Sequence, residues 1–158
     1  MSSPDRRSVL VFLALAGCGF VPAEGPGAPG AALRGAVLAD PPRTRDGFDF
    51  VAAFEDRIGR PRQPRWRLAW TVSTAISPGG ITAAGTTTRY TLTGTADFAL
   101  IALDTAIPVA EGRVEGFTGW FATSTSVAVA AAEADARRRL MTILADRVLA
   151  RLYAAVAA

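Results

Sequence analysis

The sequence predicts an α+β domain: a four-stranded, mostly antiparallel sheet with two helices packed on one face, in the order β-α-β-β-β-α. Three observations carry this. Trp66 to Val72 and Thr86 to Leu103 alternate apolar and polar residues, the period of a half-buried strand. Two other stretches repeat apolar residues every three or four positions between capping residues, the period of an amphipathic helix. Half of the 158 residues are hydrophobic, enough for one core in a chain of single-domain length.

The elements follow in order. Leu33 to Ala39 reads as a short strand, stopped by Asp40-Pro41-Pro42 because proline cannot continue a ladder. Asp46-Gly47-Phe48-Asp49 opens a helix, with Asp46 as N-cap and Asp49 adding negative charge to the first turn. Phe50 or Val51, Phe54 and Ile58 then recur at helical spacing, and Gly59 and Pro61 end the helix. In the next strand Trp66, Leu68, Trp70 and Val72 face one way and Arg67, Ala69 and Thr71 the other. Ser77-Pro78-Gly79-Gly80 reads as a turn. In the strand after it Tyr90, Leu92, Ala96, Phe98 and Leu100 share one face, and Arg89, Thr91, Thr93, Thr95 and Asp97 the other. A further strand runs from about Ala110 to Phe121, where Gly116 and Gly119 suggest a bulge or a close backbone approach. Thr123 to Ser126 supply N-cap candidates for a long helix to about Ala155. Its stripe is Ala134, Met141, Leu144, Val148 and Leu152, opposite Asp135, Arg139, Thr142 and Asp146. Trp66, Leu68, Trp70, Tyr90, Leu92 and Phe98 are expected to pack under Phe54, Ile58, Leu144 and Val148.

Composition limits the chemistry. The chain has no histidine and one cysteine. Ser-His-Asp and Cys-His catalysis, His-ligated metals, zinc knuckles and CxxC redox motifs are therefore excluded. A net charge of +3 is too small to argue for nucleic acid.

The start of the chain is an address. Arg6 and Arg7 precede the apolar run Val9 to Ala16, and small Gly17 and Cys18 follow. That is the layout of a secretory signal, too short for a membrane span. Leu15-Ala16-Gly17-Cys18 resembles the lipobox of bacterial lipoproteins, which implies cleavage before Cys18 and lipidation of its sulfur. Several acyl chains on one residue give stable attachment. The expected organisation is a signal peptide over residues 1–17, a lipidated cysteine and flexible tether over 18–31, and a single domain over 32–158. Gly19 after the cysteine, by resemblance to sorted lipoproteins, lacks the usual inner-membrane retention signal and points to the outer membrane.

Arg57, Arg60, Arg62, Arg65 and Arg67 interleave with Pro61, Pro64 and Trp66. Arginine forks match phosphate, and a solvated loop would look the same. Glu111 with Glu115, and Glu55 with Asp56, are the nearest paired carboxylates, and nothing in the sequence places either pair in a cleft. The threonine row Thr91, Thr93 and Thr95 is the more informative feature: a low-charge sheet face suits contact with another protein, although an ordinary solvated strand face reads alike.

Ala16-Gly17-Cys18-Gly19-Phe20, TTTRYTLTGTADFAL from Thr86, GFTGWFATSTSVAVAAAEADARRRL from Gly116 and MTILADRVLARL to Leu152 together resemble the LPS-assembly lipoprotein family, LptE, in its alphaproteobacterial form. The resemblance implies two helices on a four-stranded sheet, no catalysis and no cofactor. It implies a lipid-anchored outer-membrane protein that plugs and helps assemble the LPS-export β-barrel from within its lumen, with lipopolysaccharide as a further contact. Arg60, Arg62, Arg65 and Arg67 are the candidate LPS or anion contacts. Arg89, Thr91, Thr93 and Thr95 are the candidate barrel-facing surface, and Cys18 is the lipidation site. The competing expectation is an auxiliary lipoprotein of a periplasmic lipid-transport ABC system.

Overall fold

The computed structural model describes residues 29–83, 85–122 and 125–157. The expected signal peptide, Cys18 and most of the expected tether lie outside the described residues, as do the cap candidates Thr123 and Ser124.

Seven elements follow one another: α1 (Pro29–Leu33), β1 (Val37–Ala39), α2 (Arg45–Ile58), β2 (Trp66–Ile81), β3 (Thr87–Ala102), β4 (Pro108–Phe121) and α3 (Ser126–Ala157). The sheet order is β1-β2-β3-β4. β1 runs parallel to β2, and the other pairings are antiparallel. The predicted class and element order hold, with a five-residue helix added at the start.

The sheet has two unlike faces because register keeps parity across it. Trp70 pairs with Phe98 and Phe98 with Gly112; Val72 pairs with Ala96 and Ala96 with Val114. Even-numbered residues of all three long strands therefore share the face under the helices. Leu68, Leu92, Ala96 and Leu100 on that face are fully buried, and Phe98 nearly so. They close one core with Phe50, Phe54 and Ile58 of α2 and Leu140, Met141, Leu144, Val148 and Leu152 of α3. Each large side chain so buried contributes about 1.5–3 kcal/mol. The expected partners Trp66, Trp70 and Tyr90 pack against this core half-buried. Trp70 lies 4.9 Å from Phe50 between ring centroids and donates its indole N–H to the Asp40 carbonyl at 3.0 Å.

One contact explains the glycines. Gly94 pairs with Gly116 directly under α3. A Cβ on Gly94 would lie 2.8 Å from Leu140 Cδ2, and one on Gly116 3.1 Å from Ile143 Cγ2. The missing side chains let the long helix sit down on the strands. Of the two readings of Gly116 and Gly119, close approach is the one observed; the ladder between β3 and β4 shifts only at Leu100/Ile101.

Four local expectations are corrected. Leu33 ends helix α1 and is not in a strand; Pro29, which suits a first helical position, opens that helix, and only Val37–Ala39 pair with β2. The cap of α2 is Thr44, whose hydroxyl accepts from the Gly47 N–H at 3.1 Å. Asp46 sits in the first turn instead and pairs with Arg137 at 3.0 Å, joining α2 to α3. Ser77-Pro78-Gly79-Gly80 is not a turn: β2 continues to Ile81 through register shifts between Pro78 and Ile81, and the reversal falls at residues 82–86. β1 covers only Trp66 to Leu68, so this stretch is an edge strand, where proline and bulges are tolerated. Finally, Ala134 is only half-buried; Ala136, Leu140 and Leu149 complete the α3 stripe. Gly59 (φ 79) ends α2 as expected.

Candidate functional site

The open face of the sheet is built by the odd-numbered residues of the same strands. Arg89 pairs with Phe121, Thr91 with Gly119, Thr93 with Phe117 and Thr95 with Glu115. On the other side Thr91, Thr93 and Thr95 meet Ser77, Ala75 and Ser73. The four predicted surface residues are thus brought together on one ribbon. Thr93 donates its hydroxyl to the Ala75 carbonyl at 3.3 Å, fastening the row to β2.

Two residues that sequence reasoning did not assign dominate this face. Phe117 and Phe121 are 69% and 68% exposed. The Arg89 guanidinium lies 5.8 Å from the Phe121 ring centroid, a cation–π contact that holds it across the aromatic edge. Parity was the available signal: Val114 and Trp120 are even and buried, so Phe117 and Phe121, being odd, had to emerge on the other side. An open depression of about 470 Å³ lies among Thr91, Thr93, Thr95, Glu115, Phe117 and Arg147. Arg147 reaches over from α3 to the Glu115 carbonyl and forms its rim.

The strand segments on this side carry little charge of their own. Between Ser73 and Ala96 the sole charged residue is Arg89, and between Gly116 and Ala132 there is none. The lower margin is marked by Asp97, which takes two bonds from Arg113 at 2.6 and 2.9 Å. Those bonds hold the Asp97 carboxyl below the usual carboxylate range and push the Arg113 guanidinium up.

The arginine segment is not a single site. Arg60 is paired with Glu55 at 3.1 Å and Arg67 with Asp40 at 3.3 Å. Arg60 and Arg62 border a hollow of about 530 Å³ with Arg34, Asp56 and Arg57. Arg65 lies in a separate hollow, its guanidinium 4.8 Å from the Trp66 ring centroid. Glu111 and Glu115 are both exposed and four strand residues apart, about 13 Å, too far to share a proton or a small substrate. Among the described residues no three His, Cys, Asp or Glu side chains gather to hold a metal.

The fold is a two-layer α+β domain with one face of its sheet left uncovered by the helices. The chain belongs to the LptE family of lipopolysaccharide-assembly proteins, whose family model matches residues 35–152. Solved structures share the fold. A lipoprotein from Caulobacter crescentus superposes with a TM-score of 0.68 at 15% identity, covering 82% of this chain and 96% of that one. The rare lipoprotein B from Shewanella oneidensis gives 0.57 at 13% identity over 75% and 92%. A minor lipoprotein from Acinetobacter baumannii gives 0.53 at 12% identity over 75% and 89%. No curated protein sequence matches the chain.

Proposed function

We propose that this LPS-assembly lipoprotein works without catalysis, as the plug and assembly partner of the LPS-export β-barrel in the outer membrane. Acylated Cys18 tethers it, and lipopolysaccharide is a contact along its route through the barrel. The observation that carries the reading is the open sheet face, with its threonine row and its two exposed phenylalanines. A barrel lumen is polar. Hydroxyls and aromatic edges can pair with such a wall without stranding charge, whereas unpaired charges buried against it would be costly.

The test is affinity capture of the tagged lipoprotein from detergent-solubilised outer membrane. The barrel protein is expected to co-purify, and Thr91→Glu with Thr93→Glu to reduce its recovery while leaving the free domain folded. Recovery of an inner-membrane transporter in place of a barrel would replace this reading with the lipid-transport one. Mass spectrometry of the membrane fraction checks the anchor: Cys18 should carry the acyl mass, and Cys18→Ala should leave an uncut precursor.

A further inference from the structure

We infer that the end of the domain nearest the tether is a membrane-docking surface, in which the Leu103–Ile107 turn enters the headgroup region and Arg62 and Arg65 engage anionic phospholipid. The inference rests on the reading that Cys18 is the lipid anchor.

Backbone hydrogen bonds gather four segments at this end. The Gly35 N–H donates to the Ile58 carbonyl at 2.7 Å, joining the exit of α1 to the end of α2. The Arg62 N–H donates to the Gly35 carbonyl at 3.0 Å and the Arg65 N–H to the Ala36 carbonyl at 2.8 Å. The Leu103 N–H then donates to the Arg65 carbonyl at 2.9 Å. The arginine loop and the β3–β4 turn are therefore one continuous surface, and α1, with which the described residues begin, leads into it at Gly35. Eleven extended residues reach at most about 40 Å. The opposite end of the sheet, at the β2–β3 reversal, stands roughly 50 Å further along the strands. Of the two ends, the tether holds this one against the bilayer.

Its chemistry fits that position. A hairpin turn normally shows water Gly, Asn, Asp or Ser. Here Leu103, Ile107 and Val109 are 47%, 62% and 51% exposed. Ala106 takes the left-handed conformation (φ 57), which Gly or Asn would adopt more easily. The turn's one carboxylate, Asp104, accepts from the Thr105 N–H at 2.8 Å and lines the same hollow as Arg65. Beside this apolar tip Arg65 stacks on half-buried Trp66, and Arg62 is exposed. Neither arginine forms an ion pair among the described residues; Asp56 lines the same hollow as Arg62, beside Arg57 and Arg60. Aliphatic tip, tryptophan shoulder and flanking guanidiniums are the ingredients of interfacial binding to anionic lipid.

The test supplies the anchor synthetically, so it does not depend on natural acylation. The full chain is coupled through Cys18, its one cysteine, to a maleimide lipid in vesicles with or without phosphatidylglycerol. A dansyl amino acid replaces Ile107 in one sample and Thr82, at the far reversal, in another. Lipids brominated on their acyl chains serve as quencher. The probe at 107 should be quenched about threefold more than the probe at 82, and only when phosphatidylglycerol is present. Raised salt, or Arg62→Glu with Arg65→Glu, should remove most of that difference. Equal quenching at the two positions, or quenching at 107 indifferent to anionic lipid and to both arginines, overturns the inference and leaves this end as a surface for protein. The anchor reading fails separately, on the mass spectrum of Cys18 from cells.

Discussion

The two faces of β3 are made by neighbouring residues and do opposite work. Leu92, Gly94, Ala96, Phe98 and Leu100 are buried beneath the helices, while Arg89, Thr91, Thr93, Thr95 and Asp97 stand half-buried or exposed on the other side. The covered face admits only apolar or absent side chains, because α3 rests on it closely enough to touch the Gly94–Gly116 pair. The open face carries hydroxyls that strand propensity favours and aromatic rings that folding does not require. Core packing and the open surface are thus separated by parity along a single strand, and mutations can address one without the other.

The largest expected effect breaks the covered face. Phe98 is 5% exposed and packs in the core cluster. Phe98→Ala should cost about 3–5 kcal/mol, the usual loss for a buried phenylalanine. Thr93→Ala, five residues away on the open face, should stay within about 0.5 kcal/mol. Urea unfolding of the two variants measures both numbers, and similar losses would mean that the faces are not divided as described.

Gly94→Val is next. Its branched side chain would start 2.8 Å from Leu140 Cδ2 and lie close to Leu144. Leu140 can swing only partway, since it is itself fully buried. Overpacking of this kind costs about 1–3 kcal/mol. Leu140→Ala in the same chain should relieve the clash, so a double-mutant cycle is expected to show favourable coupling.

The alternation of β3, the Phe50-Phe54-Ile58 stripe and the Gly59 stop of α2 were legible in the sequence because each is set by local pattern. What was not legible depends on neighbours. Ser77-Pro78-Gly79-Gly80 has turn chemistry, yet β3 pairs alongside it and draws it into an edge strand. Asp46 resembled a cap until Arg137, 91 residues on, claimed its carboxylate. The arginine segment looked like one cluster, but Glu55 and Asp40 take Arg60 and Arg67 separately. Phe117 and Phe121 could have been placed by parity; Gly116 and Gly119 beside them obscured the alternation.

Phe117→Ala sharpens the comparison from the other side. The ring is 69% exposed, so its removal should change stability by less than about 0.5 kcal/mol. If the open face binds the barrel, recovery of the barrel in affinity capture should nevertheless fall, because exposed aromatic anchors dominate interface energetics. Normal recovery with Phe117→Ala and Phe121→Ala combined would move the contact off this face.

The smallest effect lies at the margin between the two ends, in the Asp97–Arg113 pair. Both side chains are solvent-exposed, at 48% and 63%, so the pair contributes little and salt should screen what it does contribute. Its pH dependence still has a definite sign. The guanidinium bonds lower the Asp97 pKa in the folded state, while the unfolded value stays near about 3.9. The pair's stabilisation is therefore fully present above the unfolded pKa. It declines as the pH falls below about 4 and vanishes once the pH has passed the folded pKa. Asp97→Asn should melt slightly below wild type at neutral pH and low salt, and the gap should close on acidification. The other carboxylates titrate in both proteins, so the difference isolates this one. A gap that widened as the pH fell would mean that Asp97 is destabilised as an anion in the fold, and that the margin of the open face is held by something other than its ion pair.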